Sequence, residues 1–467
     1  MARLTFSIDN RASRLLLCAV ALCAALCVVP VDLAHADVRK ADVIAGSTVE
    51  ARGYTVADCP SIDAQFAAVA SPDGVVYFSR NADEKTQIAS ITKVMTAIVA
   101  VENAKEDTYV AVSEDAALIG ESTAGLQEGD VMDFETALKA LLVPSGNDAA
   151  VAIAETIGAQ MIAADPSKGT DPMDAFVKAM NEKAKALGCE NTLYENPHGL
   201  DDEGYEGDLH STAADQAKVA ACAMSYPKIR NIVSGGSTTI AVTRNGSKER
   251  IDLETTDGLL DIYEHAIGIK TGFTNLAGAS FMGAANKDGV ELYAIVLDSA
   301  DEWQRFYDAK TLFEWVYDHV HDVPLANTKE SMSMKVAGSQ REVPVVARVS
   351  HLDWIDKTVA ATLSAPDEIV TVFDLDGNVS QSFEFDELRG SIRSGQKIGR
   401  VKYWQRNVVI ATQDLIACED VAAPGVFDSI SIWWNRLVGG FSSAPETAES
   451  QVYNVMPIIN SNVTPAA

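Results

Sequence analysis

The sequence predicts an α+β fold, in which an antiparallel sheet carries helices packed on it together with a mainly helical subdomain. Within residues 61–322, strand-like apolar runs lie near both sequence ends, over 65–78 and 278–297. Each of these ranges contains two apolar runs separated by a turn signal. The signal is Ser71-Pro72-Asp73-Gly74 in the first range and Asn286-Lys287-Asp288-Gly289 in the second. Between these ends, apolar residues recur mostly at helical spacing. Strands at both ends with helices between them are typical of this class.

The individual elements follow from periodicity and end signals. Helices are predicted where apolar spacing of three and four residues is bounded by capping residues. An additional strand is predicted over 266–273, where the residues are apolar up to a Lys-Thr-Gly sequence. The predicted helices cover 90–102, 134–143, 148–157, 173–187, 211–223 and 302–320.

The N-terminus has the pattern of a secretory signal peptide. Arginines at positions 3, 11 and 14 precede an apolar run over 15–31, and Ala34-His35-Ala36 is a typical cleavage pattern. The run is short for a transmembrane span. We therefore expect residues 1–36 to be removed and the protein to act at the extracytoplasmic face of the cytoplasmic membrane or in the cell wall. Residues 37–60 are predicted to be an irregular N-terminal arm.

The C-terminal third differs from the rest of the chain in its pattern of apolar residues. Short Val-, Ile- and Phe-rich runs over 323–422 predict a small β-sandwich-like domain. Residues 423–441 predict an amphipathic helix with Trp433 and Trp434 on its apolar face. A helix over 426–441 rises about 24 Å, short of the roughly 30 Å hydrocarbon core, which favours a helix lying in a membrane interface. The alternative is a helix docked on protein. Residues 442–467 are predicted to be a flexible tail.

Composition limits the classes of function. The chain is 47% hydrophobic and 22% charged, as globular proteins are, and its net charge is −29. A protein with this negative charge is repelled by nucleic acid and by anionic lipid. We therefore predict no nucleic-acid partner, and we expect any attraction to membranes to be mainly hydrophobic. Three of the seven cysteines lie in the predicted signal peptide. The remaining four are too few and too scattered for a disulfide scaffold.

A serine and a lysine one helical turn apart are the first candidate catalytic pair. Ser90 lies at the predicted start of a buried helix, and Lys93 falls on the same helix face. A desolvated lysine tends towards its neutral form, and a neutral amine can take the proton of a serine hydroxyl. The alternative is a capped core helix whose lysine reaches solvent. The same spacing recurs at Ser225 and Ser394, where Pro227 and Gly395 do not suit a buried helix start.

Two further motifs follow in the chain. Ser145 and Asn147 lie in a tight Pro-Ser-Gly-Asn turn between two predicted helices. Lys270, Thr271 and Gly272 end an apolar strand, where a lysine charge and a threonine hydroxyl can hold a carboxylate and a glycine allows close approach of a peptide. Each motif alone is also typical of an ordinary loop or a solvated strand end.

An acidic, histidine-bearing loop raises the alternative of a metal site. Its residues match no zinc-ligand spacing, so we predict no metal and no cofactor and expect the histidines to be structural. The loop contains His198, Asp201, Asp202, Glu203, Glu206, Asp208 and His210.

Taken together, the three motifs resemble those of serine acyl-transferases, the penicillin-binding proteins and class A β-lactamases. More specifically, residues 60–320 resemble the low-molecular-mass penicillin-binding proteins that are D-alanyl-D-alanine carboxypeptidases. The predicted β domain and amphipathic helix follow that family's layout with little motif support, and the tail after the helix is longer than the family would imply. The segments that carry the resemblance are Ala-Ser-Ile-Thr-Lys-Val-Met-Thr-Ala (89–97), Ser-Gly-Asn-Asp-Ala-Ala (145–150), Pro-His-Gly-Leu-Asp (197–201), His-Ser-Thr-Ala-Ala-Asp (210–215) and Gly-Ile-Lys-Thr-Gly-Phe-Thr (268–274).

The resemblance implies a substrate and residue roles. The substrate would be a peptidoglycan stem peptide ending in D-Ala-D-Ala, and β-lactams would be inhibitors. Ser90 would attack the penultimate D-Ala carbonyl with Lys93 as base, while Ser145 and Asn147 would relay the proton and orient substrate. Lys270 and Thr271 would grip the carboxylate, and the N–H groups of Ser90 and Phe273 would hold the oxyanion. Phe273 stands where the family often has histidine. Arg305 is a candidate for an assisting basic residue.

Two other functions remain as alternatives. A β-lactamase would share the acylation motifs but needs a well-placed glutamate, and no Glu-x-x-Leu-Asn follows Ser145. A non-catalytic wall-binding scaffold would keep the fold, but it would not need the catalytic residues that are all present here.

Overall fold

The computed structural model describes residues 42–202, 204–336, 339–439 and 447–461. The predicted signal peptide lies outside these ranges. The chain divides into two compact units, with the division between Trp315 and Val316. None of the described helices is long and apolar enough to cross a membrane.

The first unit is built on a seven-stranded antiparallel sheet with the strand order β2-β1-β4-β3-β11-β10-β9. A second, four-stranded sheet has the order β5-β6-β7-β8. The strands of the first unit are β1 (Asp42–Ile44), β2 (Ser47–Thr48), β3 (Phe66–Ala70), β4 (Val76–Arg80), β5 (Tyr109–Ala111), β6 (Val131–Asp133), β7 (Thr238–Arg244), β8 (Ser247–Leu253), β9 (Ala266–Thr274), β10 (Gly278–Lys287) and β11 (Val290–Ser299).

Helices fill the middle of the first unit in sequence, as the periodicity predicts. They are α1 (Thr92–Asn103), α2 (Glu114–Leu118), α3 (Phe134–Leu142), α4 (Asn147–Ala164), α5 (Pro172–Ala186), α6 (Ala213–Met224), α7 (Pro227–Val233), α8 (Leu259–Ile262) and α9 (Gln304–His319), the last of which continues past the division between the units.

Helix α1 is the centre of this helical layer. Every residue from Thr92 to Ala100 is buried, and the helix packs against α3, α4, α5 and α6. Helix α6 also lies on β3 and β11, so it joins the helical layer to the sheet. The mixed sheet-and-helix architecture predicted from the order of the elements is therefore present. Its consequence for function is that residues at the start of α1 are held rigidly within the core.

One sequence prediction in the first unit is wrong, and one element was missed. The predicted irregular arm contains β1, which pairs with β4 and so extends the main sheet. The hairpin of β7 and β8 was not predicted, although its Asn245-Gly246 turn between alternating residues is a strong hairpin signal. The predicted hairpin around Ser71–Gly74 and the one around Asn286–Gly289 are both present.

The second unit is mainly β-structure around its own apolar core. Its largest sheet has six antiparallel strands in the order β18-β19-β20-β16-β15-β21, and two two-stranded sheets pair β12 with β17 and β13 with β14. The elements are β12 (Val320–Pro324), β13 (Ser331–Val336), β14 (Ser339–Pro344), β15 (Ala347–Ser350), β16 (Thr358–Leu363), β17 (Ile369–Phe373), β18 (Ser380–Phe385), β19 (Lys397–Gln405), β20 (Val408–Ala417), α10 (Val426–Gly439) and β21 (Gln451–Val452).

The predicted flexible tail is partly ordered. After α10 the chain returns to the β-structure, where β21 pairs with β15. Asn454 is buried, donates from Nδ2 to the carbonyl of Leu325 at 2.8 Å and accepts at 2.6 Å from the N–H of Asn327. Polar side chains that replace backbone partners in this way fix an irregular segment. The sequence shows no periodicity here because these contacts come from single asparagines; residues 440–446 and 462–467 lie outside the described ranges.

Candidate active site

A buried lysine holds the hydroxyl of Ser90. Nζ of Lys93 lies 2.7 Å from Oγ of Ser90 and donates to the carbonyl of His198 at 2.9 Å. Lys93 is completely buried. Burial first, and the charge of Lys270 second, lower the pKa of Lys93 well below its ordinary value. The amine is therefore suited to accept the hydroxyl proton.

Ser90 does not cap the helix, and Lys93 is buried, so the alternative of a capped core helix with a solvent-reaching lysine is wrong. It lies in a 3₁₀ turn, Ala89–Ile91, that precedes α1, and no side chain caps either element. The residue before it, Ala89, has φ of 48°, in the left-handed region that a non-glycine residue rarely adopts. Such backbone strain is common at functional sites. Here the turn directs the hydroxyl towards Lys93 instead of towards the helix N-terminus.

The Pro-His-Gly-Leu segment packs closely on this turn. The carbonyl of Pro197 accepts from Oγ1 of Thr96 at 2.6 Å. Gly199 has φ of 91°, and a Cβ there would lie 1.9 Å from the carbonyl oxygen of Ala89. Only glycine fits so close an approach. The sequence places His198 in a candidate metal loop, but its main-chain carbonyl is what reaches the site.

The His198 side chain is buried beside Tyr205, with ring centroids 4.8 Å apart. Burial and the nearby Lys93 lower its pKa to about 3. Among the described residues, which exclude Glu203, no three His, Cys, Asp or Glu side chains are grouped as a metal site. The four cysteines outside the predicted signal peptide are free thiols.

The Ser-Gly-Asn turn leads into α4, whose first residue is Asn147. Ser145 is buried and has φ of 68°. Asn147 donates from Nδ2 to the carbonyl of Gly120 at 3.1 Å, while its buried Oδ1 has no hydrogen-bond partner among the described residues. The neighbouring Asp148 accepts from the N–H groups of Ala124 and Leu126 at 3.0 Å and so fixes the turn.

Strand β9 forms the edge of the main sheet and carries the third motif. A Cβ on Gly272 would lie 2.8 Å from the carbonyl oxygen of Ile88, so β9 approaches the 3₁₀ turn of Ser90 closely. The side chain of Phe273 is 53% exposed. Lys270, in contrast, is 1% exposed, and its Nζ donates to the carbonyl of Thr271 at 2.9 Å. The structure therefore brings the first and third motifs together.

Thr256 and Asp257 adjoin this strand, and neither was identified from the sequence. Oγ1 of Thr256 lies 2.7 Å from Oγ1 of Thr271. Asp257 is buried, and burial raises its pKa to about 7. Neither belongs to a predicted motif, since the segment 254–258 has no periodic or motif signal.

Arg305 on α9 also reaches β9. Its Nη1 donates to the carbonyl of Gly272 at 3.1 Å, and the side chain is buried. Burial, and then the charge of Arg305, lower the pKa of Lys270 to about 7. The arrangement provides a hydroxyl beside an amine of lowered pKa on one side, and basic and hydroxyl groups able to bind an anion on the other.

Comparisons with known proteins point to one family. The profile of the Peptidase_S11 family, D-alanyl-D-alanine carboxypeptidase, matches residues 54–301, more than half of the chain. The D-alanyl-D-alanine carboxypeptidase DacF of Bacillus subtilis is 28% identical over 359 residues, which are 75% of this chain and 84% of the relative.

Solved structures agree in fold. The crystal structure of the Streptomyces K15 DD-transpeptidase aligns with a TM-score of 0.50 and 28% identity, over 56% of this chain and 98% of that one. The D-alanyl-D-alanine carboxypeptidase DacD of Francisella tularensis aligns with a TM-score of 0.53 and 22% identity, over 78% of this chain and 96% of that one.

Proposed function

Because this chain belongs to the D-alanyl-D-alanine carboxypeptidase family and is a serine-type enzyme, we propose that Ser90 forms the acyl-enzyme with the penultimate D-Ala of a peptidoglycan stem peptide. The observation that carries the proposal is the 2.7 Å contact between Oγ of Ser90 and Nζ of a fully buried lysine, Lys93. Lys93 takes the hydroxyl proton as Oγ attacks the carbonyl carbon. The terminal D-Ala then leaves, and water hydrolyses the ester.

Charge and backbone donors stabilise the reacting groups. The N–H groups of Ser90 and Phe273 stabilise the oxyanion, a role supported by the close approach of β9 to the 3₁₀ turn. Ser145 and Asn147 relay the proton to the leaving amine and orient the peptide. Lys270, Thr271 and Arg305 bind the terminal carboxylate, which is supported by their cationic and hydroxyl groups lying together on β9 and α9.

The same acylation chemistry makes the enzyme sensitive to β-lactams, because a penicillin carries a carboxylate and a reactive amide. The β-lactamase and scaffold alternatives predict different outcomes. Purified enzyme should release free D-Ala from a peptide ending in D-Ala-D-Ala, and penicillin should stop that release with slow turnover. Chelators should have no effect. Rapid penicillin hydrolysis without D-Ala release would favour a β-lactamase, and no reaction with either compound would favour a scaffold.

Ser90→Ala tests the nucleophile. The variant should lose penicillin labelling and D-Ala release while keeping its circular dichroism spectrum and melting temperature. Mass spectrometry of the labelled peptide from unmodified enzyme should locate the adduct on Ser90. An adduct on Ser225 or Ser394 would refute the assignment.

We further propose that the enzyme is exported and meets the membrane through α10. The support is the exposure of the apolar side chains along this helix: Phe427 is 88% exposed, Trp433 62% and Trp434 57%. Arg436, on the same helix, donates to the carbonyl of Leu352 at 2.6 Å within the second unit. Exposed tryptophans suit the interface between lipid headgroups and acyl chains.

Vesicle flotation tests this proposal. Replacing Phe427, Trp433 and Trp434 by serine should release the protein from neutral phosphatidylcholine vesicles without changing hydrolysis of a soluble peptide. Binding of unmodified protein should persist in high salt, since it is hydrophobic. Binding that disappears in salt, or that survives the triple substitution, would contradict the proposal.

A further inference from the structure

A buried acid adjoins the proposed carboxylate-binding site. Asp257 lies just before α8 and is 4% exposed. Its Oδ1 accepts from the N–H of Leu259 at 3.0 Å, whereas its Oδ2 is buried without a hydrogen-bond partner among the described residues. A carboxylate left half-satisfied in the core is costly unless nearby charge compensates for it.

The segment that carries Asp257 is fixed between β9 and α9. On one side, Thr256 is joined to Thr271 of β9 by a 2.7 Å hydroxyl contact. On the other, a Cβ on Gly258 would lie 2.9 Å from the ring of Phe306 and 3.1 Å from that of Trp303. Asp257 is thus held between the two elements that supply Lys270 and Arg305.

The charges around this acid are few. Lys270 of β9 and Arg305 of α9 interact electrostatically with Asp257. Glu302 and Asp301 act on Arg305 from the exposed turn before α9, and Asp261 of α8 is exposed. On the far side, Lys93 and Lys270 interact with each other. Among the described residues, Asp257 is the acid whose charge acts on Lys270.

Lys270 needs a counter-charge to stay cationic. Its hydrogen bonds go to the carbonyl of Thr271 at 2.9 Å and to Oγ1 of Thr271 at 3.4 Å, both uncharged. Burial and Arg305 favour the neutral amine, while Asp257 favours the charged one, and the resulting pKa of Lys270 is about 7. A neutral amine would bind a substrate carboxylate poorly.

We propose that Asp257 is a positioning residue: an internal counter-charge that keeps Lys270 protonated and ready to bind the terminal carboxylate of the substrate. This inference rests on the proposed role of Lys270. At acidic pH, Asp257 is itself protonated and Lys270 is charged without help. As pH rises through neutrality, Asp257 ionises and its negative charge opposes loss of the Lys270 proton. Asp257 thereby extends carboxylate binding towards alkaline pH.

The test is the isosteric variant Asp257→Asn, whose side-chain oxygen can still accept from the N–H of Leu259. We would measure the second-order rate constant of acylation by a fluorescent penicillin, and kcat and KM for D-Ala release, from about pH 5.5 to about pH 9.5. Below about pH 6 the variant should match unmodified enzyme. The alkaline limb of the variant's pH profile should move to lower pH by about one unit, because the charge that raises the Lys270 pKa is gone. The change should appear mainly in KM.

Two controls separate this role from a structural one. Asp308→Asn alters another buried acid, which accepts from the N–H groups of Asp63 and Ala64 at 3.1 and 2.9 Å. It should lower stability without moving the alkaline limb. In a Lys270→Arg background, Asp257→Asn should not shift the limb, since a guanidinium stays charged throughout this pH range.

The outcomes are distinct. An Asp257→Asn profile that superimposes on that of unmodified enzyme, or that falls equally at every pH, would overturn the proposal. Faster acylation of the variant at alkaline pH would overturn it too, because Asp257 would then mainly repel the substrate carboxylate. Absence of any reaction in unmodified enzyme would instead refute the proposed function.

Discussion

Two fully buried lysines lie in one site, yet their surroundings suit opposite tasks. Lys93 contacts a hydroxyl and a main-chain carbonyl. Lys270 lies among Thr271, Arg305 and Asp257. Burial favours the neutral amine in both places. Each lysine has one acid that opposes loss of its proton, Asp257 for Lys270 and Asp148 for Lys93, and in each place the acid is the weakest of the influences. The acids differ in their hydrogen bonds: both carboxylate oxygens of Asp148 accept from backbone N–H groups, whereas Oδ2 of Asp257 has no hydrogen-bond partner among the described residues.

Side-chain identity therefore does not decide the role of a buried lysine. A neutral amine beside a hydroxyl can act as a base, and a charged amine beside a hydroxyl can anchor a carboxylate. Placing the two in one site also couples them, since the charge of Lys270 lowers the pKa of Lys93. A cationic anchor thus helps to keep the base neutral.

The largest expected effect comes from arginine at each position. Lys93→Arg should reduce acylation by a fluorescent penicillin by about 10³-fold or more, because a guanidinium cannot accept the proton of Ser90. Lys270→Arg should lose far less, since a positive charge remains for the carboxylate. Equal losses in the two variants would mean that the lysines do not differ in role.

Lys270→Ala should have the next largest effect. Loss of a charge-assisted contact to the substrate carboxylate is worth about 1.5–3 kcal/mol, which corresponds to roughly 10- to 160-fold in kcat/KM. The loss should appear mainly in KM and should exceed the loss of stability, although removal of Lys270 leaves the buried Asp257 with one counter-charge fewer. A peptide amide lacking the carboxylate should react equally with both enzymes. If Lys270→Ala also reacted more slowly than unmodified enzyme with the amide, Lys270 would lie outside the carboxylate site.

The two sides of the site also differ in how far the sequence predicts them. The closeness of Ser90 and Lys93 follows from their three-residue spacing, whereas the roles of the three motifs follow from their joint resemblance to a known family. Asp257 and Thr256 could not be predicted. An irregular segment brings them to Lys270 and Thr271 only by packing against β9 and α9. Similarly, the strand order of the sheet and the return of residues 447–461 to the second unit depend on contacts distant in sequence.

Thr256→Val tests one of these unpredicted contacts. It removes the hydroxyl that lies 2.7 Å from Oγ1 of Thr271 and keeps the side-chain shape. Loss of a neutral hydrogen bond is worth about 0.5–1.5 kcal/mol, so kcat/KM should fall about 2- to 10-fold. Acylation should show a similar decrease, because penicillin also carries a carboxylate. A decrease confined to the peptide substrate would show that Thr256 contacts the leaving D-Ala instead of orienting Thr271.

The smallest effect is expected at His198, on the Lys93 side. Its contribution to the site is the main-chain carbonyl that accepts from Nζ of Lys93 at 2.9 Å, and every residue supplies that group. Its imidazole is neutral through the working pH range, because burial and Lys93 lower its pKa to about 3. His198→Gln should therefore change acylation by less than about threefold and leave both limbs of the pH profile in place, although the lost packing against Tyr205 should lower stability by about 1 kcal/mol. A profile that loses a limb in this variant would show that the imidazole takes part in proton transfer, and Lys93 would then not be the only base beside Ser90.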